Sequence, residues 1–181
     1  THFFNPPRYM RLLEIVGGEA TRPDALAAVA EVGDRALGKG VVRCKDTPGF
    51  IANRIGVYWI QTAINAAVDL GLTVEEADAI AGRPMGIPKT GVFGLVDLVG
   101  LDLMPHIAKS LLATLPGNDP YRAAFREHPV ITRMIAEGYT GRKGKGGFYR
   151  LNRDGGVKVK EAIDLSTGAY RRSDKPRLES V

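Results

Sequence analysis

A mainly α-helical domain, preceded by the βαβ remnant of a parallel sheet, is the fold class that these 181 residues predict. Three observations predict it. Short β-branched runs at residues 10–16 and 41–44 flank a single helical pattern. Residues 50–70 contain no proline and one glycine, Gly56, with apolar side chains around most of the cylinder. Beyond residue 70, helical patterns follow one another between Gly/Pro turns to about residue 150.

In chain order, His2-Phe3-Phe4 reads as a strand without partners, broken by Asn5-Pro6-Pro7. Residues 10–16 are strand-like and end at Gly17-Gly18. Thr21-Arg22-Pro23-Asp24 predicts a helix start with Thr21 as cap and Asp24 closing a capping box. Leu26, Val29, Ala30, Gly33 and Leu37 then share a face, and Gly38 ends the helix. Strand, helix and the 41–44 strand make a βαβ unit, hence a parallel sheet. So small a sheet leaves both faces needing cover. Residues 1–45 are therefore expected to be the tail of an α/β domain whose larger part lies upstream.

Thr47 is expected to cap the long helix, with Pro48 at its first position. Its narrow polar stripe, Gln61, Asn65 and Asp69, predicts burial among other helices. Thr73-Val74-Glu75-Glu76 is a capping box opening a helix to about Ala81. Residues 92–99, 103–115 and 130–137 read as further helices, with turns at 82–88 and 116–120. Residues 141–147 are expected to be a mobile loop. From Leu151 helical patterning stops. Residues 157–160 alternate like an exposed strand, and 151–181 as a whole reads as a basic extension or linker.

Composition narrows the function classes. A lone cysteine, Cys44, excludes an internal disulfide and a cysteine zinc site, and fits a reducing, cytoplasmic location. No apolar run is long enough to span a membrane. The net charge of +5 is concentrated in residues 139–181, with eleven basic against five acidic side chains. Such a tail is expected to be solvated or to meet a neighbouring domain, not nucleic acid.

Of the three histidines, His106 and His128 read as surface or capping residues. His2 lies at an expected strand end of an α/β sheet, where ligands bind. Glu14, twelve residues on, can return beside it through a strand-turn-strand excursion. A carboxylate on one imidazole nitrogen fixes the tautomer and leaves the other free to take a proton. Asn53, early in the long helix, either satisfies backbone groups or, if near His2, serves a site. Residues 141–147 fail as a phosphate loop, because Phe148-Tyr149 follows where Gly-Lys-Ser/Thr and a helix are required. No GxGxxG is present, so nothing in the chain by itself predicts a dinucleotide site.

His2-Phe3-Phe4-Asn5-Pro6, Leu12-Leu13-Glu14-Ile15-Val16 and the run Lys45-Asp46-Thr47-Pro48-Gly49-Phe50-Ile51-Ala52-Asn53-Arg54 together resemble the L-3-hydroxyacyl-CoA dehydrogenases of fatty-acid β-oxidation. Pro84-Met85-Gly86, Asp97-Leu98-Val99-Gly100-Leu101-Asp102 and Gly146-Gly147-Phe148-Tyr149 extend the likeness to about residue 150. The resemblance implies residues 1–45 as the end of an NAD-binding Rossmann domain. It implies residues 46–150 as a helical domain like that of 6-phosphogluconate dehydrogenase, which completes the substrate cleft and commonly dimerises. It implies His2 as catalytic base, Glu14 as its carboxylate, Asn53 on the substrate oxygen, and Asn5 as a further polar residue near the site. The expected substrate is a 3-hydroxyacyl-CoA and the expected cofactor is NAD, held mainly by the upstream domain of the same parent chain. No metal is implied. Ile87-Pro88-Lys89-Thr90-Gly91 looks like an insertion relative to simple members, and residues 158–181 run past where those stop. Both features look like the long multifunctional versions, which also carry an enoyl-CoA hydratase (crotonase) domain. On that reading the chain is an excised middle, inactive alone. The alternatives are a non-catalytic helical dimerisation or docking module, and a related dehydrogenase of a non-CoA hydroxy acid.

Overall fold

The computed structural model describes residues 1–153, 156–176 and 178. The chain divides into two compact units, Thr1–Val57 and Tyr58–Val181.

The first unit is built on a three-stranded sheet in the order β1 (His2–Phe3), β2 (Leu12–Val16), β3 (Gly40–Cys44). β2 and β3 are parallel, joined by the helix α1 (Pro23–Glu31), as the βαβ pattern predicts. β1 departs from that pattern: it runs antiparallel to β2, with His2 directly opposite Glu14. The short excursion through residues 4–11 forces this, because a parallel return would need a crossover of a dozen residues or more. The expected Thr21 cap is also absent. The helix starts one position later, at Pro23, while the Thr21 hydroxyl accepts from the Gly18 amide and Asp24 pairs with Arg22. Gly33 lets α1's π-helical extension (Val32–Ala36) lie on the sheet, since a Cβ there would meet Leu13 at 2.8 Å.

The second corrected start is that of α2 (Ala52–Asp69), which begins four residues beyond Pro48. Thr47-Pro48-Gly49-Phe50 forms a turn, closed by the Phe50 amide donating to the Thr47 carbonyl, with Gly49 at φ 76°. Proline second and a left-handed glycine third is the signature of a type II turn. The residues that resemble a cap and a first helical position therefore build the turn ahead of the helix.

In the second unit, α3 (Val74–Ile80) has the predicted capping box between Thr73 and Glu76. α4 (Gly91–Val99), α5 (Leu103–Thr114), α6 (Pro120–Ala124) and α7 (Pro129–Ala136) follow. α6 starts at the last residue of the expected 116–120 turn and has no counterpart in the sequence reading. The polar stripe of α2 is a seam. Gln61 and Asn65 donate to the carbonyls of Arg126 and Ala124, Asp69 pairs with Arg126, and buried His128 bonds Asn65 at 2.8 Å. His128 is thus a structural residue, whereas His106 is exposed as expected.

Within the stretch expected to be a basic extension or linker, residues 159–172 are folded. β4 (Tyr149–Asn152), β5 (Val159–Ile163) and β6 (Tyr170–Arg172) form an antiparallel sheet. Ala162 and Ile163 enter the core beside Phe93 and Phe148. The alternation at 157–160 marks only the exposed start of β5, and its buried end, Ala162-Ile163, gives no signal of a packed sheet. Residues 141–147 are likewise pinned, not loose. Gly141 and Gly146 pair as a bridge, and the Arg142 amide donates to the Asp97 carbonyl.

Candidate active site

A cross-strand neighbour pair puts its two side chains on one face of the sheet, close enough to touch. With His2 opposite Glu14, the imidazole Nδ1 lies 2.7 Å from Glu14 Oε2. A carboxylate only accepts, so Nδ1 carries the hydrogen and Nε2 of the neutral ring keeps its lone pair. Glu14 is 1% exposed, and its second oxygen accepts from the amides of Ile51 (3.1 Å) and Ala52 (2.8 Å). Burial works against its charge. The Ala52 amide, the His2 ring, the Ile51 amide and the Cys44 thiol outweigh that cost and hold the carboxyl below its ordinary range. A buried carboxylate with this many donors stays ionised and fixes the ring that leans on it.

The ring is walled by Phe4, with centroids 4.5 Å apart, and by Phe50 at 5.7 Å. Phe50 has φ 48°, the one non-glycine residue with positive φ among the described residues. A bulky side chain in that region is strained by about 1–2 kcal/mol. The strain is sustained by the turn before α2, which at once presents the Phe50 ring to His2 and aims the next two amides at Glu14. Sequence reasoning passes over Phe50 and these amides. The one signal for them is Pro-Gly ahead of an aromatic residue, where a type II turn hands the chain to a helix.

Asn53 follows Ala52 in the first turn of α2 and is exposed. Asn5 is exposed beyond the end of β1. The structure therefore joins His2 to Glu14 directly, and sets Asn53 one residue beyond an amide that holds Glu14.

A dinucleotide would need a glycine turn that opens helix amides to its phosphates. The turn from β2 into α1 does not fit that need. The Gly18 amide is taken by Thr21, Pro23 has no N–H, and Gly17 serves packing, since a Cβ there would meet Leu26 at 2.8 Å. Among the described residues no group of three His, Cys, Asp or Glu could hold a metal ion. No single described helix is long and apolar enough to cross a membrane.

Two family models match the chain. The C-terminal domain of 3-hydroxyacyl-CoA dehydrogenase matches residues 49–151, and the NAD-binding domain of the same enzymes matches residues 1–47. A protein of Rickettsia felis, provisionally named a fatty acid oxidation complex trifunctional enzyme, is 43% identical over 175 residues. The match covers 97% of this chain and 24% of that protein, so the chain spans about a quarter of its relative's length. Among solved structures, M. tuberculosis FadB2 is 33% identical with a TM-score of 0.69, over 83% of this chain and 51% of that one. The (S)-3-hydroxybutyryl-CoA dehydrogenase PaaH1 of Ralstonia eutropha is also 33% identical, with a TM-score of 0.66, over 78% and 48% respectively.

Proposed function

The chain belongs to the 3-hydroxyacyl-CoA dehydrogenase family, and from that premise we propose that the protein oxidises 3-hydroxyacyl-CoA to 3-ketoacyl-CoA, with His2 as the base. The observation that carries the reading is the 2.7 Å bond between His2 Nδ1 and a fully buried Glu14. It leaves Nε2 as a lone pair of fixed direction, which is what removal of a hydroxyl proton requires. Glu14 stabilises the imidazolium that results. Asn53 donates its amide hydrogen to the developing ketone oxygen, and Asn5 adds a polar contact to the substrate. NAD, when bound, supplies the hydride acceptor. Its phosphates are held mainly by other parts of the protein, because the β2–α1 turn cannot cradle them.

A module kept for docking has no use for a buried carboxylate aimed at an imidazole, so this pair favours catalysis over assembly alone. Pairing of helical domains and a cytoplasmic setting complete the proposal. The lone cysteine supports the latter.

The test is NADH production from 3-hydroxybutyryl-CoA by the full-length protein. His2→Gln should lower kcat by about 10²–10⁴-fold with assembly intact, and the 181-residue chain alone should not turn over. Unchanged turnover in His2→Gln would show that the imidazole is not the base. Faster reaction of the free hydroxy acid would move the protein to a non-CoA substrate.

A further inference from the structure

The basic residues near the end of the chain are not spread evenly over its surface. The second unit contains a cleft of about 1160 Å³, walled by α3, the turn into α4, residues 142–153, Lys160 and residues 173–176. Six of its lining side chains are Lys89, Arg142, Lys145, Arg153, Lys160 and Lys175. Among the described residues none of the six makes an ion pair. The partners that do exist are uncharged. Lys145 donates to the Glu137 carbonyl, and Lys160 lies over the Tyr149 ring at 4.2 Å.

The acidic groups of the wall are committed elsewhere. Glu75 takes Arg171 through both oxygens, at 3.0 and 2.7 Å. Asp78 accepts from the amides of Phe93 and Gly94, and Asp97 from those of Phe148 and Tyr149. Asp174 is the remaining carboxylate of the lining. With seven cationic side chains against four carboxylates in its described lining, the concavity carries a net positive charge.

We propose that this cleft binds a small ligand carrying two or more phosphate groups, read by lysine and arginine side chains. Its volume suits a nucleotide-sized molecule. Backbone amides are not the readers. The first amides of α4 are filled by Asp78, while Gly144 and Lys145 bond the carbonyls of Gly141 and Gly138. The glycine-rich run 141–147 thus contributes by holding Arg142 and Lys145 at the cleft, not by wrapping a phosphate. Recognition by exposed point charges is sensitive to salt, unlike a closed amide nest.

The experiment is a titration of the chain with pyrophosphate, ADP and adenosine, followed by calorimetry and by amide NMR shifts. Pyrophosphate and ADP should bind and adenosine should not, with shifts gathered at Lys89, Gly144, Gly146 and Lys175. Raising NaCl from about 0.05 M to about 0.5 M should weaken binding by about tenfold or more. The Lys89→Ala/Lys175→Ala double variant should weaken it by about tenfold, with its melting temperature confirming an intact fold. Lys143→Ala should change nothing, because Lys143 pairs with Asp102 outside the cleft. Tighter binding of ADP than of pyrophosphate would add the nucleoside to the ligand, and equal binding would show that the diphosphate suffices. Either result sustains the site. Absence of binding by both, adenosine binding as well as ADP, or an equal loss in Lys143→Ala overturns it.

Discussion

Phe50 joins two opposing terms in one residue. Its left-handed backbone costs about 1–2 kcal/mol, and its half-buried ring returns a similar amount through contacts that include His2. Phe50→Gly removes both, so unfolding in urea should show a stability change of less than about 1 kcal/mol. Turnover in the full-length protein should nevertheless fall by about tenfold, because the imidazole loses a wall. Equal turnover would show that Phe4 alone orients the ring. At this scale much of the site is legible in the sequence. His2 and Glu14 are legible because a strand, a short turn and a second strand allow the pair to meet, and because both stand in the runs that carry the family resemblance. Phe50 does not, since nothing in its side chain announces a positive φ. That angle is imposed by Gly49 before it and by the carboxylate that collects the amides after it.

Among the elements of the second unit, two aspartates act as rivets. Asp78 on α3 fills the first amides of α4 and also accepts from the Tyr149 hydroxyl at 2.9 Å. Asp97 on α4 accepts from the amides of Phe148 and Tyr149 at 2.8 and 2.9 Å. Gly147 has to be glycine, since a Cβ there would come within 1.9 Å of Asp97. Replacing Asp97 by Ala leaves two buried amides without partners and should cost about 2–4 kcal/mol in urea unfolding. A loss below about 1 kcal/mol would mean that water replaces the carboxylate. The runs around Asp97 and around Gly146-Gly147-Phe148-Tyr149 are recognisable in sequence as separate motifs. Their spatial partnership is not, because 51 residues separate the two ends of one hydrogen bond. The sheet that follows is legible only in part: the alternation at 157–160 marks an exposed strand, while the two buried residues that end β5 are too few to announce a packed sheet.

For the whole molecule, acid and base pull on different carboxylates. Burial pushes Asp78 and Asp97 up to about 6 despite their amide donors. Folding therefore retains protons that the unfolded chain releases above its ordinary carboxylate range. The stability they contribute is full below about pH 4 and lost as pH rises through 6. Asp164 runs the other way. Its Ser166 and Thr167 donors hold it at about 2, so its contribution is present above about pH 4 and lost as pH falls toward 2. The windows do not overlap, and the melting temperature should peak between about pH 4 and 5. Asp97→Asn should flatten the fall between pH 4 and 6. A wild-type maximum at neutral pH would show both buried aspartates ionised throughout. Glu14, in the other unit, belongs with the groups that fail in acid. Its one carboxyl group fastens both the imidazole and the opening amides of α2. Acidification must then undo both at a stroke, so loss of the His2–Glu14 bond and a fraying helix start, followed by NMR, should trace the same titration curve.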